Sequence, residues 1–486
     1  MNRMLKKYTC FLILFFVYNV YSQDSINYRF DAFGSAGAGN YTPFWMTSNT
    51  YGTVPLRPNN GYVRGDLSWE HFFPNEIKLE AKADILTAAK HSSSFWIQQL
   101  YAAVSYHNIY FYIGAKERYS SMLDKNLSIG DMTFSTNARP IPEINIAVAD
   151  YTTIPFTKEY LKFKADFALG KSFDNDYVRR TKIDDVDYSV DILWHHKSLF
   201  LKLEDPVGNF PFSGIFGLEH ASQWGGWSSH FGNNPTSFKD FIRIILCKGG
   251  DSEANIGEQI NILGNHLGTY NFKVTYKNEK LQAALYKQHY FDDYSGLNLV
   301  NWRDGIFGGE LTFLNQPFLQ KIVLEYFGTR HQAGPMHFLF YDKELYPNAV
   351  GGGNDNYYNN FLYTAGWSYF GRGIGNALLT SPEYNEDNTL GFKNNRVKSI
   401  HLGIEGKIKP ELYYRALFTD SYSWGTMDVP FLKRKENFSS LIECVYKPEK
   451  FEGWQIALQA AFDKGDLYGD NFGCSLKLSK SGIIGK

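Results

Sequence analysis

The chain has 486 residues, 49 of them basic and 50 acidic, and a formal net charge of −1; that balance lacks the basic stripe of a nucleic-acid binder. With 44% hydrophobic residues and only 17 prolines, it is no disordered tail protein, and no apolar run approaches the ~20 residues of a membrane-spanning helix. Yet 17% of the residues are aromatic at a mean hydropathy of only −0.34.

Arg3, Lys6 and Lys7 precede an apolar run over 11–17, and Val20 and Ser22 occupy the −3 and −1 positions of a cut before Gln23. This order predicts a secretory signal peptide over 1–22. Cys10 lies inside the run and not at a lipoprotein cleavage point. Cys247, Cys444 and Cys474 remain, an odd count that gives no disulfide framework. They read as small apolar side chains with room for one chance pair.

Beyond residue 23 the period is two almost everywhere. In 77–85, Ile77, Leu79, Ala81, Ala83 and Ile85 alternate with Lys78, Glu80, Lys82 and Asp84; 161–169 alternates in the same way, as do 63–70, 199–204, 272–277, 400–408 and 455–463. Side chains of a strand point to opposite faces in turn, so each segment has one apolar and one charged face. A soluble sandwich also alternates. Here, however, the polar faces carry ionisable residues in succession, as a water-filled lumen allows. The apolar faces also end in aromatics (Trp69 and Phe72, Tyr106 and Tyr110, Trp194 and Phe200), as the girdles of outer-membrane barrels do. At roughly 25 residues per strand and connection, the chain supplies ~16–20 strands, the porin range. The predicted fold is all-β, a single domain over 23–486 forming a closed antiparallel transmembrane β-barrel.

One stretch departs from this period. Phe238, Phe241, Ile242 and Ile245 recur at helical spacing, Ser237 and Asp240 form a start signal, and Gly249-Gly250 can end the turn. The spacing predicts a short amphipathic helix near 237–247, placed in the lumen or at the periplasmic rim, or on a long surface loop. The polar stretch 251–268 reads as loop or a second short helix.

Patterns of known catalytic chemistry are absent: no Gly-x-Ser-x-Gly, His-Glu-x-x-His or Cys-x-x-Cys occurs. His195 and His196 point to opposite sides of a strand and make a poor metal pair; Glu219 and His220 diverge likewise. No catalytic residue, metal or cofactor is expected. What is present suits sugar. Trp224-Gly225-Gly226-Trp227 places two indoles beside His220 and Gln223, where ring faces stack on pyranoses and amides take hydroxyls; a tight turn at an aromatic girdle would have the same composition. Loop 341–364 adds Tyr357, Tyr358 and Asn359, residue types that make adaptable polar contacts at low entropic cost, or simply a solvated loop.

Gly217-Leu218-Glu219-His220-Ala221-Ser222-Gln223-Trp224-Gly225-Gly226 resembles a motif of the Wzi-type capsule-assembly proteins. Pro43-Phe44-Trp45-Met46-Thr47-Ser48-Asn49, Trp194-His195-His196-Lys197-Ser198-Leu199 and Leu263-Gly264-Asn265-His266-Leu267-Gly268 extend the likeness across 43–268. The resemblance implies an outer-membrane barrel of about eighteen strands with associated helices, acting as a lectin that holds capsular polysaccharide at the cell surface. The expected partners are therefore surface polysaccharide and outer-membrane lipid, with the protein a monomer. A passive porin or oligosaccharide channel is the alternative, distinguished by whether 237–268 fills the lumen, and a lumenal hydrolase with a His–Ser pair is a third reading. One departure from barrel habit is the terminus Gly482-Ile483-Ile484-Gly485-Lys486, which lacks a final aromatic. It implies a closing strand that stops near Leu478, or altered recognition by the assembly machinery.

Overall fold

Alternation of apolar and ionisable residues resolves into one closed antiparallel sheet. The computed structural model describes residues 24–119, 122–182, 186–292, 294–332 and 355–484; the expected signal peptide and positions 341–354 of the Tyr- and Asn-rich loop lie outside them. Eighteen strands form the wall. The first seven are β1 (Asp24–Ala38), β2 (Gly61–Phe72), β3 (Ile77–Ala89), β4 (Phe95–Tyr106), β5 (Ile109–Ala115), β6 (Glu143–Thr153) and β7 (Leu161–Lys171). Then come β8 (Leu193–Glu204), β9 (Phe212–Trp224), β10 (Asn265–Lys277), β11 (Leu281–Phe291), β12 (Gly305–Phe313) and β13 (Lys321–Gly328). The last five are β14 (Val397–Lys409), β15 (Leu412–Gly425), β16 (Pro430–Tyr446), β17 (Trp454–Gly465) and β18 (Asn471–Ile484).

Each strand pairs with its chain neighbours, and β1 pairs with β18 from Ile26↔Ile484 to Ala38↔Phe472, which closes the sheet. The closing strand therefore runs to Ile484 and does not stop near Leu478. Closure leaves no unpaired edge, the condition a sheet must meet in lipid. Isoleucines such as Ile85, Ile97 and Ile113 are exposed on the outward face, whereas Asp84 between them is buried on the lumenal face against Arg64. Of the aromatics expected in girdles, Trp69 and Tyr106 do lie outward. Tyr110, Trp194 and Phe200 have the opposite parity and face the lumen, where Trp194 packs 5.2 Å from the Trp367 ring.

Connections at one end, the end of the chain termini, are short turns such as 107–108 and 410–411; at the other end most are long, with 90–94, 426–429 and 466–470 the short exceptions. Outer-membrane barrels keep short turns in the periplasm and long loops outside, which orients the molecule. Three long connections turn inward and plug the lumen from its outer end, one of them reaching Lys321 and Arg415 near the short-turn end through Asp124 and Asn126. Helix α1 (Phe44–Thr47) is held by Phe44 N donating to Asp463 Oδ2 at 2.9 Å and Trp45 Nε1 donating to Thr419 Oγ1 at 3.0 Å. Segment 122–142 crosses the lumen, with the Met132 amide bonded to Gln288 and the Leu127 carbonyl to His401. Segment 355–396 lies over it, Trp367 Nε1 donating to Thr133 O at 2.9 Å. Their apolar side chains and those of the inner wall form one buried cluster.

Glu325 on β13 anchors the crossing segment. It accepts bonds from Ser128 Oγ and Ile129 N, both at 2.7 Å, and from Tyr286 Oη at 2.6 Å. Glu325→Ala strands these buried donors and should cost about 3 kcal/mol. In planar bilayers it should also conduct ions well above the wild-type level. Unchanged conductance and an unchanged unfolding midpoint would show that the plug does not depend on this carboxylate.

Candidate functional site

The residues expected to bind sugar are divided among three environments. Gln223 faces inward on β9, bonded to Gly366 O at 3.1 Å and to Asn265 at 2.9 Å. Tyr357 and Tyr358 are enclosed in the plug: Tyr357 Oη meets Asn301 and Asp304, while Tyr358 Oη donates to Met132 O and accepts from Asn376 N. Asn359 is half-buried, tied to Asn356 and to both backbone polar groups of Phe392. These residues are pillars of the plug, and their rings and amides are already engaged. His220 and Trp224 point outward on β9, opposite in parity to Glu219 and Gln223.

The expected short helix explains what covers them. Helix α2 (Phe238–Ile245) begins with the predicted Ser237 and Asp240 capping box, and α3 (Ile256–Ile260) follows. Neither the expected lumen nor the expected periplasmic rim holds it; the segment lies on a long surface connection, the alternative expected position, and folds over the outer wall at the long-loop end. Phe241 stacks on Trp224 at 5.7 Å and meets the outward Phe167 and His195 edge-on. Lys197 reaches the Ile245 carbonyl. The lumen is thus filled by other connections, and 237–264 is an external flap. Phe238, Leu246, Ile256 and Ile260 stay exposed on it, an apolar rim suited to the membrane interface.

Gly225 and Gly226, with φ of 61° and 77°, form the tight turn that separates the two tryptophans. A Cβ on Gly226 would lie 2.5 Å from Val190 O, so the pair is not a flexible spacer. Trp224 remains in the wall; Trp227 rises into a small outer sheet, paired with Val190 and Asn233. There it is half-exposed, edge-on to Tyr188 at 5.7 Å. Phe231 and Phe361, both exposed, meet at 6.3 Å, and His230 lies 3.6 Å from Asp187. Exposed rings rimmed by polar groups make this outer surface the candidate site. Tyr188, Phe231 and Phe361 escaped the sequence reading because isolated aromatics in irregular connections carry no periodic signal.

Below the plug, a cavity of about 380 Å³ is lined by both charge signs, among them Arg29, Asp31, Arg64, Asp66, Glu117 and Lys477. On the inner wall His196 lies between Asp166 (2.8 Å) and Glu219 (3.0 Å). Both ring nitrogens therefore donate, leaving no lone pair to accept a proton, and the Ser198 hydroxyl donates to Asp166 instead. This histidine is not the base of a His–Ser pair.

The closed sheet, apolar exterior, charged lumen and loop-built plug define an outer-membrane β-barrel. The chain belongs to the family described as capsule assembly protein Wzi, which matches residues 46–380. Its fold is similar to that of Escherichia coli Wzi, an outer-membrane protein involved in group 1 capsule assembly and described as a carbohydrate-binding β-barrel. The TM-score is 0.58 at 12% identity, covering 93% of this chain and 83% of that one. Pseudomonas aeruginosa OccK5 (OpdH) is similar at a TM-score of 0.49 and 9% identity, covering 96% of this chain and 100% of that one. For OpdK of the same organism, solved with vanillate, the values are 0.48 and 9%, with 96% and 100% covered. No curated protein matches the chain in sequence.

Asp174 joins the outer platform to the plug. Its buried carboxylate accepts the Phe370 amide at 3.2 Å, and burial pushes its pKa up to about 6. A carboxyl raised above its free value of 3.8 favours the fold while protonated. Its contribution is complete below that value and is lost as the pH rises through 6. Asp174→Asn should therefore raise stability at pH 7.5 by about 2–3 kcal/mol and leave it unchanged near pH 3.5. Equal gains at both pH values would trace the effect to something other than this ionisation.

Proposed function

We propose that this barrel is a non-enzymatic lectin that attaches capsular polysaccharide to the cell surface. The observation that carries the reading is the exposed aromatic platform around Trp227, held on a barrel whose outer lumen is plugged. Membership of the capsule-assembly family, and the carbohydrate binding described for E. coli Wzi, support it. Rings at Trp227, Tyr188, Phe231 and Phe361 stack on sugar faces, while Asp187 and His230 take hydroxyls. Each contact is weak, and a long polymer is held by many of them at once. In this reading 1–22 is removed on export, the mature chain works as a monomer, and the exposed apolar residues of the flap contact outer-membrane lipid. Plugging weighs against the passive-channel alternative.

Trp227→Ala combined with Phe361→Ala should weaken binding of purified surface polysaccharide by about fivefold to 150-fold, at about 1–3 kcal/mol for two lost stacking contacts, with little change in stability. Trp224→Ala should instead destabilise the fold by about 3–5 kcal/mol, the cost of emptying a buried tryptophan site. A deletion strain complemented with the Trp227 and Phe361 double variant should shed capsule into the medium. Firm retention of capsule by that strain would refute the platform as the attachment site.

A further inference from the structure

Outward faces of a barrel wall are apolar where lipid touches them, yet β8, β9 and β10 carry an outward polar row beneath the flap. His195, Ser222 and His266 stand directly opposite one another across the three strands, and His220 lies two residues from Ser222 on the same face of β9. All four are buried. The flap adds Cys247, just beyond α2. His220 Nε2 lies 2.8 Å from His266 Nδ1, and Cys247 Sγ lies 3.3 Å and 3.8 Å from those two atoms. This grouping was invisible in the sequence, where the three residues are 19 to 46 positions apart.

Of the two facing ring nitrogens, His266 Nδ1 offers a lone pair and His220 Nε2 donates to it; a metal at His220 Nε2 takes the other tautomer of that ring, with the proton on Nδ1, which is buried without a partner. His266 Nε2 is 2.6 Å from the Leu263 carbonyl. A carbonyl only accepts, so that nitrogen carries the proton and Nδ1 offers a lone pair. The carbonyl thereby acts as the outer-shell partner that orients a metal-bound histidine. His195 repeats the arrangement: Nδ1 donates to Ala168 O at 2.9 Å, leaving Nε2 as a fully buried lone pair without a partner. Ser222 Oγ is likewise buried without a partner. With zinc–nitrogen bonds of about 2.0–2.1 Å and a zinc–sulfur bond of about 2.3 Å, a tetrahedral site needs ligand edges of about 3.3 Å and 3.6 Å. The two sulfur edges, 3.3 Å and 3.8 Å, bracket the required value, and the nitrogen–nitrogen edge of 2.8 Å is about 0.5 Å short of it, so the two imidazoles part slightly by side-chain rotation when the ion enters.

We propose that His220, Cys247 and His266 bind a zinc ion that pins the external flap to the barrel wall. Two ligands belong to adjacent strands and the third to the flap, so the ion is a cross-link between them. The fourth position faces the polar row, where a bound water can donate to His195 Nε2 or Ser222 Oγ. Binding takes the Cys247 thiol as thiolate and releases its proton to solvent. An imidazole and thiolate set suits zinc and excludes calcium and magnesium, which prefer oxygen.

The test uses the full mature chain purified in detergent, stripped with a chelator and titrated with Zn²⁺. About one zinc per chain should bind the wild type and the Cys444→Ser/Cys474→Ser variant, falling below about a tenth in Cys247→Ser and in His266→Gln. Cobalt should give a thiolate charge-transfer band that Cys247→Ser abolishes. Zinc should slow maleimide alkylation of Cys247 in the folded wild type by about tenfold or more, read peptide by peptide, and tryptic cleavage at Lys248 should slow in parallel. The alkylation arm needs no substitution, so it decides the matter even where a variant fails to give the heat-shifted gel band of a folded barrel. Substoichiometric zinc binding, binding that survives Cys247→Ser in a folded barrel, or alkylation indifferent to zinc would overturn the proposal.

Discussion

An eighteen-strand wall closes around more space than its own inward side chains can fill, and much of this structure follows from that. Small barrels pack their interior with the side chains of their strands; wider ones leave a channel or need a plug. In this chain the inward faces carry carboxylates, amides and histidines that must be solvated or bonded. The connections 39–60, 122–142 and 355–396 supply that bonding. Glu325, Gln288, His401 and Asp463 each present a polar group from the wall to a backbone or side-chain group of the plug. Between the connection 39–60 and the inward charges of the wall, the cavity around Arg64 and Asp66 remains.

The same requirement acts on the outer surface with the sign reversed. Lipid tolerates no unpaired polar group, so an outward histidine or lysine must be covered or reach the interface. His195, Lys197, His220 and His266 all face outward near the rim, and the flap lies over them. Its amphipathic helix resolves the conflict by turning Phe241 to the wall while Phe238 stays exposed toward the bilayer. Three of the four sequence blocks that resemble the capsule-assembly family form β8, β9 and the start of β10. Their alternate residues serve the plug on one side and the flap on the other.

Much of the wall was legible because a period of two is a local property. Ile77–Ile85, 161–169 and 455–463 each declare both faces without knowledge of their partners, and the Ser237 helix start is equally local. Parity at the aromatic positions was not legible. Trp194 and Phe200 look like girdle residues, but only the pairing of His196 with Asp166 shows which face is lumenal. The positions of Tyr357 and Tyr358 depend on Met132 and Asp304, more than fifty residues away in each case. An adaptable loop and a packed plug have the same composition, and what separates them is long-range hydrogen bonding.

The tryptophan pair around Gly225-Gly226 shows how these layers are coupled. Two successive residues with positive φ reverse the chain at the rim, so Trp224 is fixed beneath the flap while Trp227 enters the platform three residues later. The turn is itself held: Gly225 O accepts from Asn234 Nδ2 at 3.0 Å and from Tyr363 Oη of the plug at 3.4 Å. Wall, plug, flap and platform therefore meet within four residues. An aromatic surface that binds a flexible polymer by weak contacts loses less free energy to ordering when its rings are already fixed. The plug and flap provide that rigidity, so in the proposed lectin role their polar anchors act on the platform without touching a sugar.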